Sequence, residues 1–424
     1  MKVLIVTRRY IPEVIGGGQL SVHYIARILK KKGIDVRVLT FTAGIRKDEI
    51  IDKVPVTRLS IRTIPLFPRL SNLEWMYYEM YRQTMNYLKE FTPDILHSFN
   101  SESAPSLRWV SKKTAIPYVV TINGPNLFCF TQKGIDSKGE NCLGCGGFHR
   151  LRETIVVWGG KSWLRKSVAL AYWLYSIPHM KLFEKTLKDA SLLLPISYGI
   201  RDDIVKLGYS PENMQVVHNP QRVCKKVRSN INVKLGIPKN APILLYAGRI
   251  EKEKGIQNII TLLQFIPDAH AIIIGRGAYE KEAKNLAKEL NAESRTHFVP
   301  WTENSKLGAY YSKASIVLMP GRFYESLGRM LLEACAHGVS VIGTRIGGIP
   351  DVIEDGNNGF LLETFSLGEL LKKVKKILAS STIRKNMGAY GKRKIKKEFS
   401  EEKCFKDIIN AYNKVLSKKV TEKN

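Results

Sequence analysis

Residues 324–334 read YESLGRMLLEA and place two glutamates, Glu325 and Glu333, eight positions apart. A proline–glycine break at residues 320–322 precedes them, and Glu333 lies in an apolar run whose spacing is typical of a helix. The break and the run predict a helix that starts near Glu325. Glu333 would then lie about two turns, or roughly 12 Å, further along the axis.

The start of a helix leaves backbone N–H groups without intrahelical partners and carries partial positive charge. Here those groups would be the amides of Ser326, Leu327 and Gly328, beside the Glu325 carboxylate. Together with Glu333, they could bind hydroxyls at two separated points of one polyol ligand. A nucleotide sugar is such a ligand, because its sugar and its ribose flank a diphosphate.

Outward from this stretch, short apolar runs alternate with helical patterns in both halves of the chain. Strands are predicted at residues 3–7, 35–41, 95–98, 118–122, 187–195, 243–247, 271–274, 297–299, 316–319 and 339–343. Helices are predicted at 20–32, 73–91, 104–112, 198–207, 279–290, 307–311, from about 256, and along the Lys-rich tail from 367. The alternation predicts an α/β fold of two doubly wound parallel-sheet domains facing a central cleft, with ligands at the carboxyl ends of the strands.

Composition and charge limit the class of protein. The chain has 424 residues, 44% apolar and 25% charged, which is typical of a globular protein. No apolar run approaches the ~20 residues of a membrane span, and the chain opens directly into a strand, so we expect a cytoplasmic protein. The net charge of +29 predicts anionic partners or, as readily, a solvated basic surface. No nucleic-acid-binding signature accompanies the charge.

The cysteines suggest one metal site. Cys129, Cys142, Cys145 and His149 have a spacing that resembles a four-ligand structural zinc set in a glycine-rich loop. The alternative is a loop with incidental thiols. A catalytic metal is disfavoured, because all four ligands would be used.

Glycines and cations follow several predicted strands. Gly17 and Gly18 lie between the first strand and the first helix, where a backbone can approach a phosphate or simply turn. Gly248 and Arg249 follow the strand at 243–247, and Lys254 comes five residues after Arg249. An arginine fork and a lysine point charge suit a diphosphate, although a solvated charge run is the alternative.

These motifs resemble glycosyltransferase family 4, whose members are retaining enzymes of the GT-B fold. The resemblance is carried by GR-x4-KG at 248–255, by E-x7-E at 325–333, and by GG-x-PD at 347–351 with DG-x2-G at 355–359. Y-x-P-x3-GG at 10–17 and PDILH at 93–97 also resemble the family. It implies an acceptor-side domain at 1–222, joined by a final helix at about 403–424, and a donor-binding domain at 223–402.

The resemblance also implies residue roles. Arg249 and Lys254 would hold the donor diphosphate, and Glu333 would hold the ribose. Glu325 and the amides of 326–328 would hold the transferred sugar, while Gly17 would approach the diphosphate. We expect that no cofactor is required for catalysis. The retaining outcome of the family implies a same-face route in which the leaving diphosphate accepts the acceptor's proton, and such a route needs no enzyme nucleophile.

One position departs from the family pattern. Asn123 follows the strand at 118–122, where the family often has a histidine. An asparagine can hydrogen-bond a sugar hydroxyl but cannot act as an acid or base. His97, one strand earlier, is the nearest candidate for a catalytic substitute, and its alternative is a buried histidine of the sheet.

Residues 154–188 and 66–82 mix aromatic with basic residues, which fits either an interfacial helix on anionic lipid or ordinary core packing. We therefore expect a nucleotide-sugar-dependent transferase, using a donor of UDP or GDP type, that acts on a lipid-linked or cell-surface glycan precursor at the inner face of the membrane. The alternatives are a soluble acceptor, such as a phosphorylated small molecule or a glucan, and a basic nucleic-acid-binding protein.

Overall fold

The computed structural model describes residues 1–13, 17–42, 44–61, 74–99, 101–125, 129, 142, 151–153, 155–156, 163–224, 229–363 and 366–421. By their internal contacts these residues form two units. The N-terminal unit contains the described residues from Met1 to Pro220 and the final helix from Glu401; the C-terminal unit contains Gln221–Ser400.

The sheet of the N-terminal unit has seven strands. They are β1 (Lys2–Val6), β2 (Asp35–Thr42), β3 (Lys47–Ile51), β4 (Val54–Ser60), β5 (Ile95–Phe99), β6 (Tyr118–Ile122) and β7 (Leu192–Pro195). Their order is β3-β4-β2-β1-β5-β6-β7, and only β3 runs antiparallel to its neighbour. Because the order reverses at β1, the sheet is doubly wound, as predicted.

Helices pack on this sheet through apolar faces. They are α1 (Gly17–Lys31), α2 (Glu74–Tyr87), α3 (Ala104–Thr114), α4 (Trp163–Lys188), α5 (Tyr198–Lys206) and the chain-terminal helix Glu401–Thr421. Ile25 and Leu29 of α1 share one buried cluster with Ile408 and Tyr412 of the terminal helix. Burying each such side chain contributes about 1.5–3 kcal/mol, which accounts for the return of the terminal helix to this unit.

One strand prediction for this unit was wrong, and one hairpin was missed. The predicted strand at 187–195 is shorter, because α4 continues to Lys188 and only Leu192–Pro195 is extended. Residues 188–191 read KDAS, so the continuous apolar run begins only at Leu192, where the strand begins. The hairpin β3–β4 was missed, since its turn uses Asp52 and Lys53 at positive φ (48° and 68°) rather than a glycine.

The C-terminal unit has a six-stranded, wholly parallel sheet. Its strands are β8 (Ile243–Ala247), β9 (His270–Ile274), β10 (Thr296–Val299), β11 (Ile316–Met319), β12 (Ser340–Thr344) and β13 (Gly359–Leu362), in the order β10-β9-β8-β11-β12-β13. Its helices are α6 (Ile231–Lys234), α7 (Ile256–Leu262), α8 (Glu280–Glu289), α9 (Asn304–Tyr311), α10 (Arg329–His337), α11 (Ile349–Val352), α12 (Leu367–Leu378) and α13 (Ser381–Glu398), so the terminal helix is α14. Two Rossmann-like α/β domains are thereby confirmed.

Parallel pairing brings the carboxyl ends of these six strands to one edge of the sheet. The loops after β8, β9, β11 and β12 therefore lie together at that edge, where open α/β sheets bind ligands. β13 was missed because its sequence begins with the glycine of a predicted turn. That glycine, Gly359, lies beside β12, where a Cβ would come within 1.9 Å of the Val341 carbonyl oxygen.

Within the described part of the chain, no helix combines the length and the apolar character needed to cross a bilayer. α4 is long enough at 26 residues, but it carries several charged side chains.

Candidate functional site

Three loops at the strand edge of the C-terminal unit meet at Glu325. The Lys254 ammonium, after β8, donates a hydrogen bond of 2.7 Å to Glu325 Oε2. The backbone N–H of Gly348, after β12, donates one of 2.8 Å to the Glu325 carbonyl oxygen. Lys254 is only 8% exposed, so this ion pair is largely shielded from water. The sequence predicted ligands at the carboxyl ends of the strands, and the structure brings these three strand-end loops together.

Glycines allow this close approach. A Cβ on Gly255, which has a φ of +80°, would lie 2.4 Å from the Pro320 carbonyl oxygen. A Cβ on Gly347, at a φ of +56°, would lie 2.3 Å from the carbonyl oxygen of Glu325. Side chains at these positions would push the loops apart, so the position of Glu325 depends on both glycines.

The helix after Glu325 begins later than the sequence predicts. α10 starts at Arg329, and Gly328, at a φ of +73°, is its N-cap. Ser326 and Leu327 therefore lie in the turn before the helix, and Glu333 lies about one turn inside it. The predicted continuous helix from Glu325 was wrong, because a residue at positive φ ends the non-helical turn.

Two side chains hold the Glu333 carboxylate. The Tyr311 hydroxyl donates a hydrogen bond of 3.0 Å to Oε2, and Arg329 Nε donates one of 3.1 Å to Oε1. Burial raises the pKa of Tyr311 well above its ordinary value, with a further contribution from the Glu333 charge, so the hydroxyl remains a donor. Sequence analysis missed both partners, although the i, i+4 spacing of Arg329 and Glu333 on a helix could have indicated one of them.

Glu333 and Arg249 line a pocket of about 450 Å³. Its lining also includes Gly248, Arg276, Trp301 and Arg329. This volume is within the range of small-molecule sites, which is about 300–1,000 Å³. The pocket thus combines one carboxylate, three arginine side chains and an exposed aromatic ring.

Arg249 is an exposed residue of the predicted site. Its side chain is 64% exposed and donates a hydrogen bond of 2.6 Å to Glu251. Its backbone is better fixed, because the Tyr246 hydroxyl donates a hydrogen bond of 2.7 Å to the Arg249 carbonyl oxygen. Gly248 lies against Tyr246, where a Cβ would come within 3.0 Å of that hydroxyl.

Family models match both units. The model described as Glycosyltransferase Family 4 matches residues 15–220, and the model described as Glycosyl transferases group 1 matches residues 227–394. The chain belongs to glycosyltransferase family 4. Both matches agree with the resemblance that the glutamate pair and the glycine-rich loops indicated.

Curated relatives resemble this family 4 chain over part of their length. The N-acetyl-alpha-D-glucosaminyl L-malate synthase of Bacillus anthracis is 26% identical over 236 residues, which are 54% of this chain and 61% of that protein. The lipopolysaccharide core biosynthesis glycosyltransferase LpsE of Rhizobium meliloti is 25% identical over 221 residues, 52% of this chain and 62% of that protein. The chain therefore spans about three fifths of the length of these two relatives.

A solved structure shares the fold over nearly the whole family 4 chain. The crystal structure of Anabaena HepE in complex with UDP has a TM-score of 0.71 and 16% identity, covering 97% of this chain and 100% of that one. Such a likeness shows the fold, which is GT-B, with its two Rossmann-like domains.

The predicted site residues of the N-terminal unit differ in position. Gly17 and Gly18 begin α1, and Asn123 directly follows β6, so all three lie at loop–element junctions. His97 lies within β5 and is fully buried. Its ring nitrogens are 2.7 Å from the Tyr412 hydroxyl and 2.7 Å from the Thr121 hydroxyl.

A catalytic role for His97 is contradicted by these contacts. Both nitrogens are engaged inside the sheet, and burial lowers the pKa of His97 to about 3. A neutral, enclosed imidazole cannot exchange a proton with a ligand, so the interpretation of His97 as a buried histidine of the sheet is favoured. The roles of Gly17, Gly18 and Asn123 stay predictions.

The predicted zinc set is only partly described. Cys129 and Cys142 are buried, whereas Cys145 and His149 lie outside the described residues. Among the residues that the structure describes, there is no group of three or more histidine, cysteine, aspartate or glutamate side chains that could hold a metal. The zinc site stays a prediction.

Proposed function

We propose that this chain is a retaining glycosyltransferase that uses a nucleotide-diphosphate sugar of UDP or GDP type. The acceptor would be a lipid-linked or cell-surface glycan precursor at the inner face of the membrane. The observation that carries the proposal is the meeting of three strand-end loops at Glu325, together with a pocket lined by Arg249 and by the Glu333 carboxylate that Tyr311 and Arg329 hold.

Each part of the donor would meet a matching group. Glu333, fixed by Tyr311 and Arg329, is suited to accept hydrogen bonds from the ribose hydroxyls. Arg249 and Lys254 are suited to the diphosphate, and Glu325 to the hydroxyls of the transferred sugar. The fold relative HepE was solved with UDP and with UDP-glucose, which supports a nucleotide sugar as the ligand.

The transfer breaks the bond between sugar C1 and the diphosphate oxygen and forms a bond between C1 and the acceptor oxygen. The bonding electrons leave with the diphosphate, so negative charge grows there while the sugar becomes oxocarbenium-like. Arg249 and Lys254 would stabilise that charge, and the diphosphate would take the acceptor proton. This route uses no enzyme nucleophile, and Glu325 positions the sugar.

The acceptor proposal is supported by an apolar stripe on α4. Trp163, Leu170, Leu174 and Ile177 are spaced by seven, four and three residues, which places them on one face of the helix, and all four are exposed. Trp163 is 77% exposed and Leu174 is 54% exposed. The nearby Lys166 and Lys181 are exposed as well. Apolar side chains with flanking cations fit an anionic lipid surface.

Other aromatic residues of the predicted interfacial segment do not share this exposure. Tyr172, Trp173 and Tyr175 are half-buried, and Trp158 lies outside the described residues. On α2, Trp75 and Tyr78 are exposed, with their ring centroids 5.7 Å apart. The membrane proposal therefore depends on the α4 stripe and the exposed pair on α2, rather than on all the aromatics that the sequence singled out.

The donor proposal is tested by thermal shift of the purified chain with UDP-, GDP- and ADP-sugars. A ligand at 100 times its dissociation constant stabilises by about 2.7 kcal/mol, which is a measurable shift. Glu333→Ala should abolish the shift. Glu363→Ala is the matched control, because Glu363 also pairs with an arginine, Arg345 at 2.8 Å, but outside the pocket. A wild-type chain that responds to no nucleotide sugar would refute the donor site.

The acceptor proposal is tested by sedimentation with anionic and with neutral vesicles. Replacing both Leu170 and Leu174 with serine should weaken binding to anionic vesicles, whereas Val233→Ser, an exposed apolar residue of the other unit, should not. Activity that is indifferent to lipid would favour a soluble acceptor. Salt-sensitive binding to arbitrary DNA without any nucleotide-sugar response would favour the nucleic-acid-binding alternative.

A further inference from the structure

The ring of Phe323 lies close to both cations proposed for the diphosphate. The Lys254 ammonium is 3.6 Å from the centroid of its ring, and the Arg249 guanidinium carbon is 5.9 Å from the same centroid. Phe323 is half-buried, two residues before Glu325 and after the break at 320–322. Both distances are within the range of cation–π attraction, which extends to about 6 Å.

The surrounding backbone keeps the ring and the lysine in this arrangement. Gly321 lies so close to the preceding loop that a Cβ there would be 2.3 Å from the Glu253 carbonyl oxygen. Gly255 lies equally close to Pro320 from the other side. The two loops therefore cannot slide past one another without breaking backbone packing, and the Phe323 ring remains under Lys254.

A lysine at this place needs such a constraint. Its ammonium is a compact charge on a flexible four-carbon stem, in contrast to the rigid fork of an arginine. The hydrogen bond to Glu325 uses one of its three donors, and the electron-rich face of the Phe323 ring also attracts the ammonium. A ring contact holds the charge in place without consuming the hydrogen bonds that a phosphate requires.

We propose that Phe323 is a positioning residue of the donor site, whose ring orients the Lys254 ammonium, and to a lesser extent the Arg249 guanidinium, toward a nucleoside diphosphate. The inference rests on the proposed function, since it assumes that these cations meet a diphosphate. It assigns a role to a residue outside the glutamate pair and the glycine-rich motifs. Phe323 itself touches no reacting atom.

The experiment measures nucleoside diphosphate binding by calorimetry, using whichever of UDP, GDP and ADP binds the wild-type chain most tightly. Phe323→Leu keeps an apolar side chain but removes the ring, and we expect about tenfold weaker binding. Phe323→Tyr keeps the ring and should restore binding. Phe360→Leu is the matched control, because the Phe360 ring also lies near a lysine, Lys376 at 5.0 Å, on β13.

A second measurement separates positioning from general damage. The free nucleoside has no phosphate, so its affinity should be the same in the wild-type chain and in Phe323→Leu. In turnover with the matching nucleotide sugar, we expect a raised KM together with a lowered kcat, because the same cations would also stabilise the leaving diphosphate. Melting curves show whether each variant folds, and Phe323→Met replaces Phe323→Leu if the latter does not.

The outcomes are distinguishable. Equal diphosphate affinity in the wild-type chain and Phe323→Leu overturns the inference while leaving the donor site intact. Equal weakening of nucleoside and diphosphate, or failure of Phe323→Tyr to restore binding, assigns Phe323 a purely structural role and also overturns it. A wild-type chain that binds no nucleoside diphosphate overturns the proposed function itself.

Discussion

Replacing Tyr311 with phenylalanine tests how the pocket holds Glu333. The change removes one hydroxyl and keeps the ring, which stacks on His337 with centroids 5.0 Å apart. The lost hydrogen bond joins a buried hydroxyl, in a residue 1% exposed, to a carboxylate at 3.0 Å. Hydrogen bonds to charged groups contribute about 1.5–3 kcal/mol to stability.

We expect the lower end of that range, because Arg329 continues to donate to the other carboxylate oxygen. A loss of about 1.5 kcal/mol lowers the Tm of a domain of this size by about 3–6 °C, at 2–4 °C for each kcal/mol. The Glu333 carboxylate would also be held by one hydrogen-bond donor, Arg329, instead of two. The stabilisation by a saturating nucleotide sugar should therefore be smaller in Tyr311→Phe than in the wild-type chain.

The assay is differential scanning fluorimetry, with and without nucleotide sugar. Tyr390→Phe is the control, since the Tyr390 hydroxyl also donates to a glutamate, Glu354 at 2.8 Å, but at the surface. Water replaces that bond, so we expect no measurable change in Tm. Equal shifts in the two variants, or a full nucleotide response in Tyr311→Phe, would refute the reasoning.

Three further predictions rest on other residues of the two units. Lys254→Ala leaves the Glu325 carboxylate, which is 22% exposed, without its partner. We expect about 1–3 kcal/mol of destabilisation in urea titrations and roughly 100-fold slower glycosyl transfer. Unchanged turnover would exclude Lys254 from the donor site. His97 has a pKa of about 3 in the folded state and 6.5 in the unfolded state. The unfolded state therefore binds more protons as the pH falls below 6.5, and the free energy of unfolding should fall by about 2 kcal/mol between pH 7 and pH 5. Urea titrations at both pH values should show a smaller loss of stability in His97→Gln than in the wild-type chain. An identical loss would contradict the interpretation of His97 as a buried, neutral histidine. Gly347→Ala should unfold the site or raise the KM for nucleotide sugar sharply, because the new Cβ would meet the Glu325 carbonyl oxygen. Gly356→Ala is the control, since Gly356 has a φ of +81° and open space around it. Thermal melting should show a loss of stability of only about 1 kcal/mol for Gly356→Ala.

Much of the fold could be predicted because its signals are local. Short buried runs such as 243–247 and 316–319 contain enough apolar and β-branched residues to indicate strands without neighbours. The hairpin β3–β4 lacked such a signal, since its turn residues are Asp52 and Lys53. β7 was predicted too long, because the prediction included the last residues of α4 and the polar residues 188–191 that precede the apolar run at Leu192.

The sequence by itself determined the α/β class, the glutamate spacing and the cations that follow β8, because each depends on residues close together along the chain. The tertiary structure decided which residues act together. Tyr311 reaches Glu333 across 22 residues, and Lys254 reaches Glu325 across 71. It also enclosed His97 between Thr121 and Tyr412, the latter 315 residues away. Such partnerships depend on strand order and on close backbone approach, and neither can be read from the local spacing of residues.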